Sequence, residues 1–120
     1  MTLPEYIAAN LQRPFAWGEF DCLLCAAGYV IPKTGIDYLA GQPKWATAKE
    51  ALRLVESLGG MEAILDGHFA RIEPNFARDG DIGLYEKSVG IFSGAHIVGP
   101  GPDGLIFIDR TKAKCAWSIS

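Results

Sequence analysis

FDCLLCAAGYVI, residues 20 to 31, decides how the rest of the chain is read. An aspartate precedes a cysteine, and a nearly unbroken apolar run follows. Aspartate is a good helix cap because its carboxylate meets backbone N–H groups that have no partner inside the helix. The spacing predicts a helix beginning near Asp21 or Cys22. Leu23, Leu24, Ala26, Ala27 and Val30 make it apolar on most sides, so it is expected to be buried. Pro32 restricts the residue before it and Gly35 follows, which predicts an end by Ile31.

A buried helix needs cover, and the flanking sequence supplies two kinds. Upstream, Thr2 followed by Leu3, Pro4 and Glu5 reads as a helix start, closed by Pro14. Downstream, Thr34 to Gln42 reads as a short turn or helix with Tyr38 and Leu39 inward. Thr47 and Glu50 have capping-box spacing. Ala51, Leu52, Val55 and Leu58 then recur at helical intervals before Gly59-Gly60, and Met61 to Leu65 predicts one more short helical piece. After residue 68 the period shortens. Phe69–Ile72, Ile82–Tyr85, Val89–Phe92, Ala95–Val98, Leu105–Ile108 and Ala116–Ile119 read as strands, with turns at Asp79-Gly80, Ser93-Gly94 and Asp103-Gly104. Helices first and strands after predict an α+β fold, the N-terminal helices packed on a small C-terminal antiparallel β-sheet.

Composition narrows the function classes. Hydrophobic residues form 49% of the 120-residue chain and charged residues 21%, enough for a packed core in a single domain spanning 1–120. Eleven basic against 14 acidic residues give a net charge of −3, and no Lys/Arg cluster offers a phosphate footprint, so no nucleic-acid partner is expected. Apolar runs break before a membrane-spanning length and no basic-then-apolar leader opens the chain, so no membrane partner is expected and the cytoplasm is the expected location. Cys22, Cys25 and Cys115 do not suggest a disulfide framework.

Three chemistries compete for the cysteines. A helix N-terminus favours a thiolate, which makes Cys22 a candidate nucleophile; Cys25 and Cys115 read as buried structural thiols. Cys22-x-x-Cys25 also fits a redox or zinc pair, but no convincing strand precedes it and His68, His96 and Cys115 lack knuckle spacing, so no metal and no cofactor is expected. A nucleophilic cysteine needs a base within reach, and of the two histidines His96, at a strand start, is the better candidate. Phe15 and Trp17 serve as core or as one wall of a groove.

FAWGEFDCLLCA (15–26), RDGDIGLY (78–85) and SVGIFSGAHIVG (88–99), in that order, resemble the papain-like cysteine peptidases of the NlpC type, and more closely a compact branch found in phage and prophage tail gene clusters. The resemblance covers Trp17 to Ile108. It implies an Asp-Cys pair opening a helix on a small antiparallel sheet, Cys22 attacking an amide carbonyl through a thioester, and a substrate such as cell-wall peptide. It implies a fold role for Gly80-Asp81-Ile82, phage-tail proteins as partners, and a second location inside a phage particle. Where those peptidases begin the next strand with His-Val-Gly-Ile, this chain has Ser88-Val89-Gly90-Ile91, and a serine cannot deprotonate a thiol as imidazole can. His96 falls near the family's third polar position. Register decides its reach: a Ser93-Gly94 loop puts His96 on the face of Val89 and Ile91, whereas a Ser93-Gly94-Ala95 loop puts it on that of Ser88. Two functions stand open on these residues. One is a cysteine peptidase or amidase using Cys22 and His96, with Asp21, Ser88 and Trp17 as accessory residues; the other is a catalytically inactive module that keeps the fold.

Overall fold

In a computed structural model describing residues 1–120, four helices precede the sheet: α1 (Leu3–Asn10), α2 (Cys22–Thr34), α3 (Ala48–Ser57) and α4 (Met61–Asp66). Six strands follow, namely β1 (Ala70–Ile72), β2 (Ile82–Tyr85), β3 (Ser88–Ser93), β4 (His96–Gly101), β5 (Gly104–Asp109) and β6 (Cys115–Ser118). They form one antiparallel sheet in the order β1-β6-β2-β3-β4-β5. The chain is therefore α+β, with N-terminal helices packed against a C-terminal antiparallel sheet. No helix is long and apolar enough to cross a membrane.

Local chemistry explains the helix starts. Thr2 and Glu5 form a reciprocal capping box on α1. Thr47 accepts the Glu50 N–H at the start of α3, while Glu50 reaches back to the Ala46 N–H. The end of α2 departs from expectation: Pro32 lies inside the helix, which runs on to Thr34 and stops at Gly35 with φ 75°. A proline in the last turn forfeits only its own N–H bond, and here the Thr34 hydroxyl donates to the Val30 carbonyl at 2.8 Å. The 35–42 segment forms turns rather than a helix, and it buries Tyr38, whose hydroxyl donates to the Leu23 carbonyl.

Alternation along the strands divides the sheet into two faces. Ile82, Leu84, Val89, Ile91 and Trp117 meet Leu23, Ala26, Ala27 and Val30 of α2 in the main core. Tyr85, Phe92, Ile97 and Ala116 point the other way into a smaller cluster. Arg110 closes that side: its guanidinium donates to the carbonyls of Gly94, Pro74 and Ala77 and lies over the Phe92 ring. Asp81 accepts from the N–H groups of Arg78 and Ile119, tying the start of β2 to the end of β6.

The β3–β4 hairpin corrects both loops expected from sequence. Ser93 pairs with His96, so the loop is Gly94-Ala95. Distant groups set this register: the Gly94 N–H donates to Asp79 Oδ1 at 2.8 Å, and the Arg110 N–H to the Ala95 carbonyl at 2.9 Å. Paired residues share a face, so His96 stands with Val89, Ile91 and Ser93, on the side opposite Ser88.

Candidate functional site

The site is built on Asp21. Its carboxylate is buried and accepts three hydrogen bonds, from the Leu24 N–H at 3.1 Å, the Gly18 N–H at 3.0 Å and the Trp45 indole at 2.7 Å. One residue thus caps α2, holds the Ala16–Phe20 turn, and draws the 43–47 segment onto both. That arrangement sets Phe15 and Trp17 edge to face, 4.7 Å apart, beside the first turn of α2.

Cys22 opens α2 and lines a cavity of about 520 Å³. Phe15 and Trp17 form one wall and Ala48, Ala51, Leu52 and Val55 of α3 another; Met61 and Glu62 of α4 and the Leu84–Ser88 hairpin complete it. Here the structure reassigns an expected core stripe. Ala51 and Leu54 are buried, but Leu52 is 58% exposed at the cavity edge and Val55 only half-buried. The apolar face of α3 is turned partly toward empty space. A cavity of this size with mostly apolar walls and few polar groups has the character of a ligand site.

Electrostatics at the thiol run against the sequence expectation. Burial pushes the Cys22 thiol up from its ordinary value. The backbone N–H groups of Val89, Leu23 and Cys22 pull it partly back, and the Asp21 carboxylate adds to the rise. The helix start that predicts a thiolate is thus outweighed by desolvation and by its own capping charge. Cys25 is pushed up to about 12, burial being the main cause.

No imidazole meets Cys22. Ser88 lines the cavity, whereas His96 lies at the far end of β3's partner, exposed beside Phe107 at 6.0 Å. The five strand steps from Ser88 to Ser93, the partner of His96, span about 17 Å at about 3.3 Å per residue. His68 is exposed at the α4–β1 junction, next to Phe69. The structure therefore places Asp21, Cys22, Trp17 and Ser88 around one cavity and His96 away from it. The cysteines are all free, and no three His, Cys, Asp or Glu side chains converge as a metal site. Sequence reasoning missed Trp45, which anchors Asp21, and the α3 and hairpin residues that frame the cavity. Only the weak signal of an over-wide apolar stripe on α3 pointed there.

Buried and half-buried thiols and phenols together set an alkaline limit. Burial raises Cys22, Cys25, Tyr6, Tyr38 and Tyr85, with Tyr85 reaching about 12. In the unfolded chain these groups release protons from about pH 8.5 to 10. From the lower end of that range upward the folded state holds more protons than the unfolded, so stability falls as pH rises. The urea midpoint is expected to hold steady from pH 7 to 8 and to drop progressively above about pH 9. A midpoint unchanged from pH 8 to 11 contradicts this.

A model of a domain of unknown function, DUF6950, matches residues 1–119. No curated protein and no solved structure matches the chain.

Proposed function

We propose, for a chain that belongs to the DUF6950 family, a non-catalytic module of NlpC-like architecture that uses the Cys22 cavity to bind rather than to cleave. Support for the architecture comes from Asp21-Cys22 opening a helix on an antiparallel sheet, with the Val89 backbone N–H near the thiol. Support for binding without chemistry comes from one observation above all. The cavity that holds Cys22 contains Ser88 and no imidazole, while its thiol is held protonated by burial and by Asp21. A nucleophile needs a base or a lowered pKa, and Cys22 has neither. Phage-tail assembly is the setting that the sequence resemblance attaches to this reading. The other reading, an amidase acting through a Cys22 thioester, rests on the position of Cys22 at a helix start beside a cavity.

The uncharged apolar dye N-phenyl-1-naphthylamine separates the two. On the binding reading its fluorescence rises with the native protein, persists within about twofold in Cys22→Ala, and weakens about tenfold in Leu52→Asp, which puts a charge at the apolar mouth. Absence of dye binding to the native protein refutes the reading. So does amide hydrolysis that Cys22→Ala abolishes.

A further inference from the structure

We propose that the Cys22 cavity takes an organic cation with an apolar body, the body lying against Phe15, Trp17, Leu52 and Val55 and the cationic head against Glu86 and Glu62. This rests on the binding reading above and assigns its ligand class. Charge is the first ground. Three acidic residues are among those lining the cavity, Asp21, Glu62 and Glu86, against one basic residue, Lys87. Asp21 is buried with only neutral N–H donors around its oxygens. Glu62 shares Arg71, which also holds Asp66, and these are the chain's two ion pairs, so Glu86 and Lys87 have none. A low-dielectric concavity lined by an excess of one sign focuses its field and selects the opposite sign. The same field opposes a thiolate at Cys22 and hence an anionic ligand.

Glu86 supplies the second ground. It is the first of two residues in the β2–β3 hairpin loop, closed by the Tyr85–Ser88 pair, and the only non-glycine residue in the chain with positive φ, 53°. Glycine, asparagine or aspartate serves such loops with less strain. The fold makes no use of the Glu86 carboxylate, yet the loop carries it at the cavity mouth despite its backbone. Trp17 is the third ground: it is 44% exposed at the cavity wall, a large aromatic surface left for the apolar body to cover.

Calorimetric titration of the whole chain at pH 7 with octylammonium, octanol and octanoate tests the assignment. Octylammonium is expected to bind about fivefold tighter than octanol, with octanoate weakest, and to lose that advantage as salt is raised. Glu86→Gln is expected to weaken octylammonium about threefold and leave octanol unchanged, with Glu73→Gln, away from the cavity, affecting neither. Glu86→Gly is expected to do the same while raising the melting midpoint by about 3 °C, because it removes the positive-φ strain. Equal binding of octanol and octylammonium, or a ratio untouched by Glu86→Gln, overturns the cation assignment and leaves the apolar cavity standing. No binding of any of the three, with the naphthylamine dye also failing, overturns the binding reading itself.

Discussion

Asp21→Ala is expected to cost about 3 kcal/mol of folding stability, read as a lowered urea midpoint at unchanged slope. Three donors lose their acceptor at once: the Leu24 and Gly18 N–H groups and the Trp45 indole. Loss of a cap alone costs about 1 kcal/mol. A buried donor left without a partner costs about 1 to 3 kcal/mol more. Relief of the buried charge and entry of water offset part of the sum, which is why the expected total stays below simple addition. Asp21→Asn keeps one carbonyl oxygen for the Leu24 N–H but turns an NH₂ toward the remaining donors, so about 2 kcal/mol is expected. The substitution also frees the Trp45 indole and the turn carrying Trp17, so naphthylamine binding is expected to weaken with stability. An Asp21→Ala protein with the native midpoint contradicts the place given to this carboxylate.

Gly18→Ala is the second large effect, at least about 3 kcal/mol. Gly18 has φ 73°, a conformation that side chains rarely adopt. A Cβ there meets the Trp45 carbonyl oxygen at 2.0 Å and the Ala46 Cα at 3.2 Å. Both are backbone atoms, so no rotamer change makes room and the 45–46 segment must move away. That movement pulls the indole from Asp21. The two substitutions are therefore coupled, and the Gly18→Ala/Asp21→Ala pair is expected to lose at least about 1 kcal/mol less than the sum of the singles. Strict additivity in a double-mutant cycle shows that the two losses do not share the Trp45 contact.

Much of this frame is legible in the sequence because it depends on neighbours along the chain. Thr2, Asp21 and Thr47 cap helices through bonds to residues three positions on, and the period-two strands follow from alternation. Pro32 misleads because a proline in the last turn forfeits a single backbone bond and leaves the earlier turns intact. Long-range bonds are where local reading fails. Asp79 and Arg110 set the Gly94-Ala95 loop from 15 and 16 residues away, and no pattern around Ser93 contains that information. Trp45 reaches Asp21 across 24 residues. Cys22 misleads for a related reason. Its helix position is local and readable, but burial by the sheet and the nearby Asp21 charge decide its protonation. Leu52 shares the helical spacing of residues that reach the core, because periodicity reports an apolar face without saying what fills the space before it.

The most direct test of a protonated, base-free Cys22 is its rate of alkylation against pH, resolved by site with mass spectrometry, in the native protein and in His96→Ala. A slow reaction at pH 7 is expected, with a rate that climbs only above the free-thiol value of about 8.5 and the same profile in both proteins. A Cys22 that titrates well below that value, with the shift lost in His96→Ala, would show a working Cys22–His96 dyad and contradict that expectation.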